Sequence, residues 1–245
     1  MTTAEEYEHQ LQTLLIQIRS CSLCQKDLPL PAKPILQASS HAKILIAGQA
    51  PGVKTHHKGI PFDDASGERL RNWLNISREQ FYDPKLFAII PMGFCFPGSI
   101  ERNGKKQGDK PPRPECAATW HSQLLALMPN IELIIVLGQY AIDYHLSPLS
   151  TDELVDEKRQ YLTHLANKQK LAKLTDAKAL DAKILKRPKL TVTQTIAHWQ
   201  DYWPNIIALP HPSPRNNLWL KQHPEFEVHI LPMLKTRIHQ LLNFK

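Results

Sequence analysis

Four short apolar runs punctuate the chain: Lys43–Ala47 (KILIA), Phe87–Ile90 (FAII), Leu133–Leu137 (LIIVL) and Ile206–Leu209 (IIAL), with stretches of helical spacing between them. A strand that faces water on one side alternates apolar and polar residues, whereas a strand covered on both faces is apolar throughout. The pattern therefore predicts an α/β protein, a three-layer α/β/α arrangement around a central four-stranded parallel sheet. The N-terminal stretch MTTAEEYEHQLQTLLIQIRS opens with acidic residues and continues with apolar positions at helical spacing, so a helix is expected there. No Gly/Ser-rich or acidic linker divides the 245 residues, and a single domain spanning 1–245 is expected. Within it, about 152–189 changes to a Lys-, Ala- and Leu-rich composition with ten Lys or Arg against six Asp or Glu, which reads as exposed helical insertion. There is no internal repeat.

Composition narrows the class without choosing a function. Hydrophobic residues at 42% and charged residues at 22% are ordinary for a soluble globular protein. No apolar run approaches the roughly 18 to 20 residues that span a bilayer, so no membrane association is expected. The acidic start differs from a signal peptide, and a cytoplasmic, monomeric protein is expected. A formal charge of +7 and a pI near 9.2 make a polyanion such as DNA a plausible partner, because Lys and Arg that neutralise phosphates gain affinity by releasing counterions.

The chemistry-bearing residues concentrate after strand ends, where open α/β sheets bind ligands. The first predicted strand runs into Gly48-Gln49-Ala50-Pro51-Gly52, whose glycines allow close approach of the main chain to a ligand. The last runs into Pro210-His211-Pro212-Ser213-Pro214-Arg215-Asn216, in which prolines fix the backbone around one histidine and one hydroxyl. All four cysteines fall into a single pattern: Cys21 and Cys24 as C-x-x-C, Cys95 after the second strand, and Cys116 after the exposed Pro-rich loop Pro111–Pro114, which follows the Gly/Lys stretch Asn103–Lys110. Four thiolates satisfy either tetrahedral zinc or a cubane iron-sulfur cluster, and spacing alone does not choose. Disulfides are disfavoured in a chain with no export signal.

The two loops, in this order, resemble the two active-site motifs of uracil-DNA glycosylases. GQAPG followed by Phe62 in GIPFDDASGERL resembles the first motif and base-stacking phenylalanine of the iron-sulfur branch found in thermophiles and many bacteria. Cys21, Cys24, Cys95 and Cys116 are similar in order and approximate spacing to that branch's 4Fe-4S ligands, and HPSPRN is similar to the second motif of the single-strand-selective monofunctional class. The resemblance implies a monofunctional DNA glycosylase of base excision repair, acting on a deaminated base, with uracil the first expectation. A flipped base would lie beneath Gly48, Ala50, Pro51 and Gly52 and stack on Phe62. His211 would hydrogen-bond the base carbonyl as negative charge develops there. Ser213, Arg215 and Asn216 would contact DNA, Arg215 and Asn216 as a wedge or phosphate contact. The cluster would be structural.

Two departures accompany the resemblance. Relatives place Asp, Asn or Glu in the first motif to position water, whereas Gln49 and Ala50 stand here; Gln49 can orient water but cannot accept a proton. His56, His57, Asp63 and Asp64 follow in the same stretch, and of these His57 and Asp64 join Gln49 as catalytic candidates beside His211. Where the iron-sulfur relatives read the uracil edge with asparagine, this chain has Pro91, which brings no side-chain amide and no backbone donor. Base recognition is then expected from main-chain groups around Met92 and Gly93. The same two departures define the alternative, a non-catalytic iron-sulfur DNA-binding protein of the same fold.

Overall fold

A computed structural model describes residues 3–146 and 190–243; the expected insertion at about 152–189 lies outside the described residues. The four apolar runs form the sheet: β1 (Ile44–Ala47), β2 (Phe87–Ile89), β5 (Leu133–Leu137) and β6 (Ile206–Leu209), every residue of them buried. All pairings are parallel, in the order β2-β1-β5-β6, with Ile44 opposite Phe87 and Leu133, and Ile134 opposite Ile206. The chain leaves β1 towards one edge and returns through β5 towards the other. The order thus reverses between β1 and β5, and the crevice beyond their carboxyl ends is where such sheets take ligands.

Helices cover the sheet. The N-terminal helix Ala4–Arg19 starts with a reciprocal cap between Thr3 and Glu6 and buries Leu11, Leu14, Leu15 and Ile18, the spacing of one helical face. Glu8 on the same helix accepts hydrogen bonds from the Ser40 backbone N–H and from both the Ser39 and Ser40 hydroxyls, fastening the helix to the approach of β1. The helix Leu231–Leu242 buries Leu231, Leu234, Ile238, Leu241 and Leu242 and packs on the helix Ala65–Leu74, which buries Leu70, Trp73 and Leu74. Each such side chain contributes about 1.5–3 kcal/mol on leaving water.

One region differs from the sequence reading. The Gly/Lys stretch Asn103–Lys110, for which the sequence reading named no strand, belongs to an antiparallel hairpin, β3 (Ser99–Arg102) and β4 (Lys105–Asp109), with Ser99 opposite Asp109. Asn103 at φ 53° and Gly104 at φ 69° form its two-residue tip. Both left-handed positions match the Asn-Gly signature of a tight hairpin turn, so a local signal was present. Among the described residues, no helix is long and apolar enough to cross a membrane.

Candidate functional site

The first loop leaves β1 at Gly48, and its Gly52 caps the short helix Val53–Lys58. The loop is pinned from beneath: the Met92 N–H donates to the Gly48 carbonyl at 2.8 Å and the Gly93 N–H to the Gln49 carbonyl at 3.0 Å. Those two donors are therefore spent within the fold. The Pro91 carbonyl is also engaged, 3.1 Å from His121 Nε2. Of the main-chain groups around Met92 and Gly93 expected from the sequence to read a base edge, these two N–H groups are not free, because each already satisfies a loop carbonyl.

Phe62 lies against the loop. Its ring tip is 3.6 Å from the point where a Cβ on Gly48 would stand, and the ring meets Phe81 edge-on at 6.2 Å. The backbone at Phe62 takes φ 56°, an uncommon conformation for a bulky residue. Its carbonyl accepts from Arg71 Nη1 at 3.3 Å and presses on Gly67, where a Cβ would come within 1.7 Å of it.

Of the titratable candidates near this loop, most are already engaged. Asp63 is clamped between Arg78 at 2.7 Å and Lys58 at 3.0 Å, and hydrogen bonds from these two hold its carboxyl below the usual range. Asp64 caps the helix Ala65–Leu74, its Oδ1 accepting from the Gly67 N–H at 3.0 Å. His56 is buried beside Phe96, and burial, with Lys33 nearby, lowers its pKa. His57 is exposed on the same short helix. Gln49 donates its side-chain amide to the Lys110 carbonyl at 2.9 Å and the Asp109 carbonyl at 3.5 Å, which leaves its side-chain oxygen as the polar atom for water.

The second loop follows β6, two strands from β1. Asn216 Nδ2 donates to the His211 carbonyl at 2.7 Å and braces the turn, so this side chain belongs to the loop's own structure. Arg69, on the helix behind Asp64, donates to the Ser213 carbonyl at 3.2 Å and to Asn217 Oδ1 at 2.9 Å, tying that helix to the second loop. Ser213 opens the turn Pro214–Asn216, and Arg215 is exposed there, its guanidinium packed against Gly108 of the hairpin. His211 is enclosed by these elements: burial lowers its pKa, and Asp64 and Asp109 partly oppose that shift while Arg215 adds to it. A ring so placed is neutral at neutral pH and keeps one N–H to donate. Sequence reasoning found both loops and missed Arg69 and Asp109, which come from a helix and a hairpin far along the chain.

All four cysteines line one cavity, together with Leu28, Ala32, Pro34, Gly93, Phe94 and Arg113, enclosing about 350 Å³ open to solvent. The thiols are unbridged. Burial raises the pKa of Cys24 and Cys95, and takes that of Cys116 to about 12; the neighbouring thiols push the same way. The Phe94 N–H donates to Cys116 Sγ at 3.4 Å, and the Lys33 backbone N–H supports Cys95. Among the described residues, no three His, Cys, Asp or Glu side chains converge on one point as a single ion requires. One buried and three half-buried thiols around a single pocket are chemically suited to a compact cationic group able to hold them as thiolates.

Comparison with known protein families gives one match: the model described as the uracil DNA glycosylase superfamily covers residues 36–235, most of the chain and both loops.

Proposed function

The chain belongs to the uracil DNA glycosylase superfamily, and on that premise we propose that it is a monofunctional DNA glycosylase that hydrolyses the N-glycosidic bond of a flipped, deaminated base, uracil foremost, in base excision repair. The observation that carries this reading is the gathering of the two loops at the carboxyl edge of the sheet, with Phe62 under Gly48 and a half-buried His211, its pKa lowered, on the second loop. Breaking the bond between C1′ and the base nitrogen sends the electron pair into the base, onto its carbonyl oxygen. The N–H of His211 faces that developing charge, in a site where burial removes competing water. The flat face of Phe62 supplies stacking for the extruded base. Gln49 Oε1 is placed to orient water, and the basic Arg215 is placed to meet a phosphate or enter the gap the base leaves. No lysine stands in either loop, so the expected product is an abasic site.

The four cysteines fit a 4Fe-4S cluster. They surround a cavity instead of converging on a point, whereas zinc at about 2.3 Å from each sulfur draws its ligands tightly together; zinc is the second choice. Held by Cys21, Cys24, Cys95 and Cys116, the cluster would supply structural cross-linking of the N-terminal segment to the loops after β2 and the hairpin. The four cysteines thus support assigning the protein to the iron-sulfur branch of the superfamily.

The test is single-turnover cleavage of oligonucleotides carrying uracil, hypoxanthine or xanthine by cluster-loaded protein, with alkali to reveal abasic sites. Cleavage of one of these bases is expected, reduced about 10²–10³-fold by His211→Ala, the cost of removing one such donor. Tight DNA binding with no cleavage of any base would instead favour a non-catalytic DNA-binding protein.

A further inference from the structure

The first loop brings no carboxylate to the pocket; of the two that follow it, Asp63 is held through both oxygens by Lys58 and Arg78, and Asp64 through Oδ1 by the helix it caps. A third carboxylate arrives from elsewhere. Asp109 ends β4, and its Oδ1 is held on the hairpin by Lys106 Nζ at 2.8 Å and by the Ser99 hydroxyl at 3.4 Å. Its Oδ2 points across to the first loop, 3.4 Å from the position a Cβ on Gly52 would occupy. A larger residue than glycine at 52 would crowd that oxygen.

The hairpin is fastened to both loops around this group. On one side Gln49 donates to the Asp109 and Lys110 carbonyls. On the other, Arg215 Nη1 lies 3.1 Å from where a Cβ on Gly108 would stand. Asp109 and Asp64 are the two carboxylates whose charge acts on His211. The Asp109 side chain is 30% exposed, so water reaches it.

We propose that Asp109 is a catalytic carboxylate of this protein, supplying from the β3–β4 hairpin the proton-accepting and cation-stabilising function that no residue of the first loop can perform. The inference rests on the glycosylase reading. As the C1′–N bond breaks and its electrons leave with the base, positive charge develops on the sugar, and Asp109 Oδ2 faces it. The water oxygen bonds to C1′ and its proton passes to the Asp109 carboxylate, then to solvent, which balances the hydrolysis.

Asp109→Asn keeps the shape and removes the charge. It is expected to slow single-turnover cleavage by about 10²–10³-fold without changing the melting temperature, with partial recovery in Asp109→Glu. A readout independent of turnover compares two abasic duplexes, one carrying an uncharged tetrahydrofuran and one a cationic pyrrolidine. Asp109→Asn should weaken only the cationic one, by about tenfold or more, the size of one partly screened charge interaction. Cleavage within about threefold of wild type, or equal loss on both duplexes, would overturn the proposal and leave Asp109 as a tether of the hairpin. If the wild type cleaves no base, the glycosylase reading fails by itself. A preference for the cationic duplex that Asp109→Asn abolishes would then still place Asp109 at the sugar, and absence of that preference would remove it.

Discussion

At the scale of single residues, the site depends on keeping His211 uncharged. Burial favours the neutral ring, and the two carboxylates that oppose it do not reverse the direction of the shift. The folded pKa is therefore below 6.5, the ordinary value. The stability that comes from housing a neutral ring is complete above that value and is lost as pH falls below it. A single-turnover pH profile should show no histidine step above 6.5, and a step there that disappears in His211→Ala would mean a charged, open ring. Arg215 makes a different contribution, from outside the pocket. Its removal to Ala should weaken binding to all duplexes alike and reduce the slope of log affinity against log salt by about one, measured by fluorescence anisotropy across a salt series. An unchanged slope would take Arg215 off the phosphates.

At the scale of elements, the position of Phe62 is enforced by its neighbours. Holding a phenylalanine at φ 56° costs free energy that the capped helix Ala65–Leu74 must offset. Gly67 makes this possible, since only a residue without a Cβ can accept the Phe62 carbonyl on the first turn of that helix. Gly67→Ala is expected to destabilise the fold by about 1–3 kcal/mol through overpacking and to lower cleavage more than the stability loss explains, because Phe62 must move. Thermal unfolding together with single-turnover rates separates the two effects; wild-type values for both would show that the segment relaxes freely. The hairpin gives the contrasting case. Its Asn103-Gly104 tip was legible, but what the hairpin does depends on its resting against two loops from other parts of the chain.

At the scale of the whole molecule, the four thiols come together from segments that the sheet does not join. Cys21 and Cys24 follow the N-terminal helix, Cys95 follows β2, and Cys116 sits beyond the hairpin. Burial raises the pKa of Cys24, Cys95 and Cys116, so their thiolates are costly without a cation, and binding of the proposed cluster would be coupled to the fold. Cys116→Ser is expected to abolish the brown colour of an iron-sulfur protein and lower the melting temperature, followed by visible absorption and calorimetry. Full stability of a colourless Cys116→Ser protein would show that the cavity needs no cofactor.

The sequence by itself determined the sheet and the two principal loops. Uniformly apolar β-rich runs can be stable only when covered on both faces, and Pro- and Gly-fixed loops after such runs are local features. It also exposed the four-cysteine pattern, since C-x-x-C and isolated cysteines are visible without a fold. Only the tertiary structure decided the strand order β2-β1-β5-β6, the loss of the Met92 and Gly93 N–H groups to loop carbonyls, the arrival of Arg69 at Ser213 and that of Asp109 within electrostatic reach of His211. These depend on contacts between residues distant in the chain, where neither periodicity nor local turn chemistry records which charge will face which.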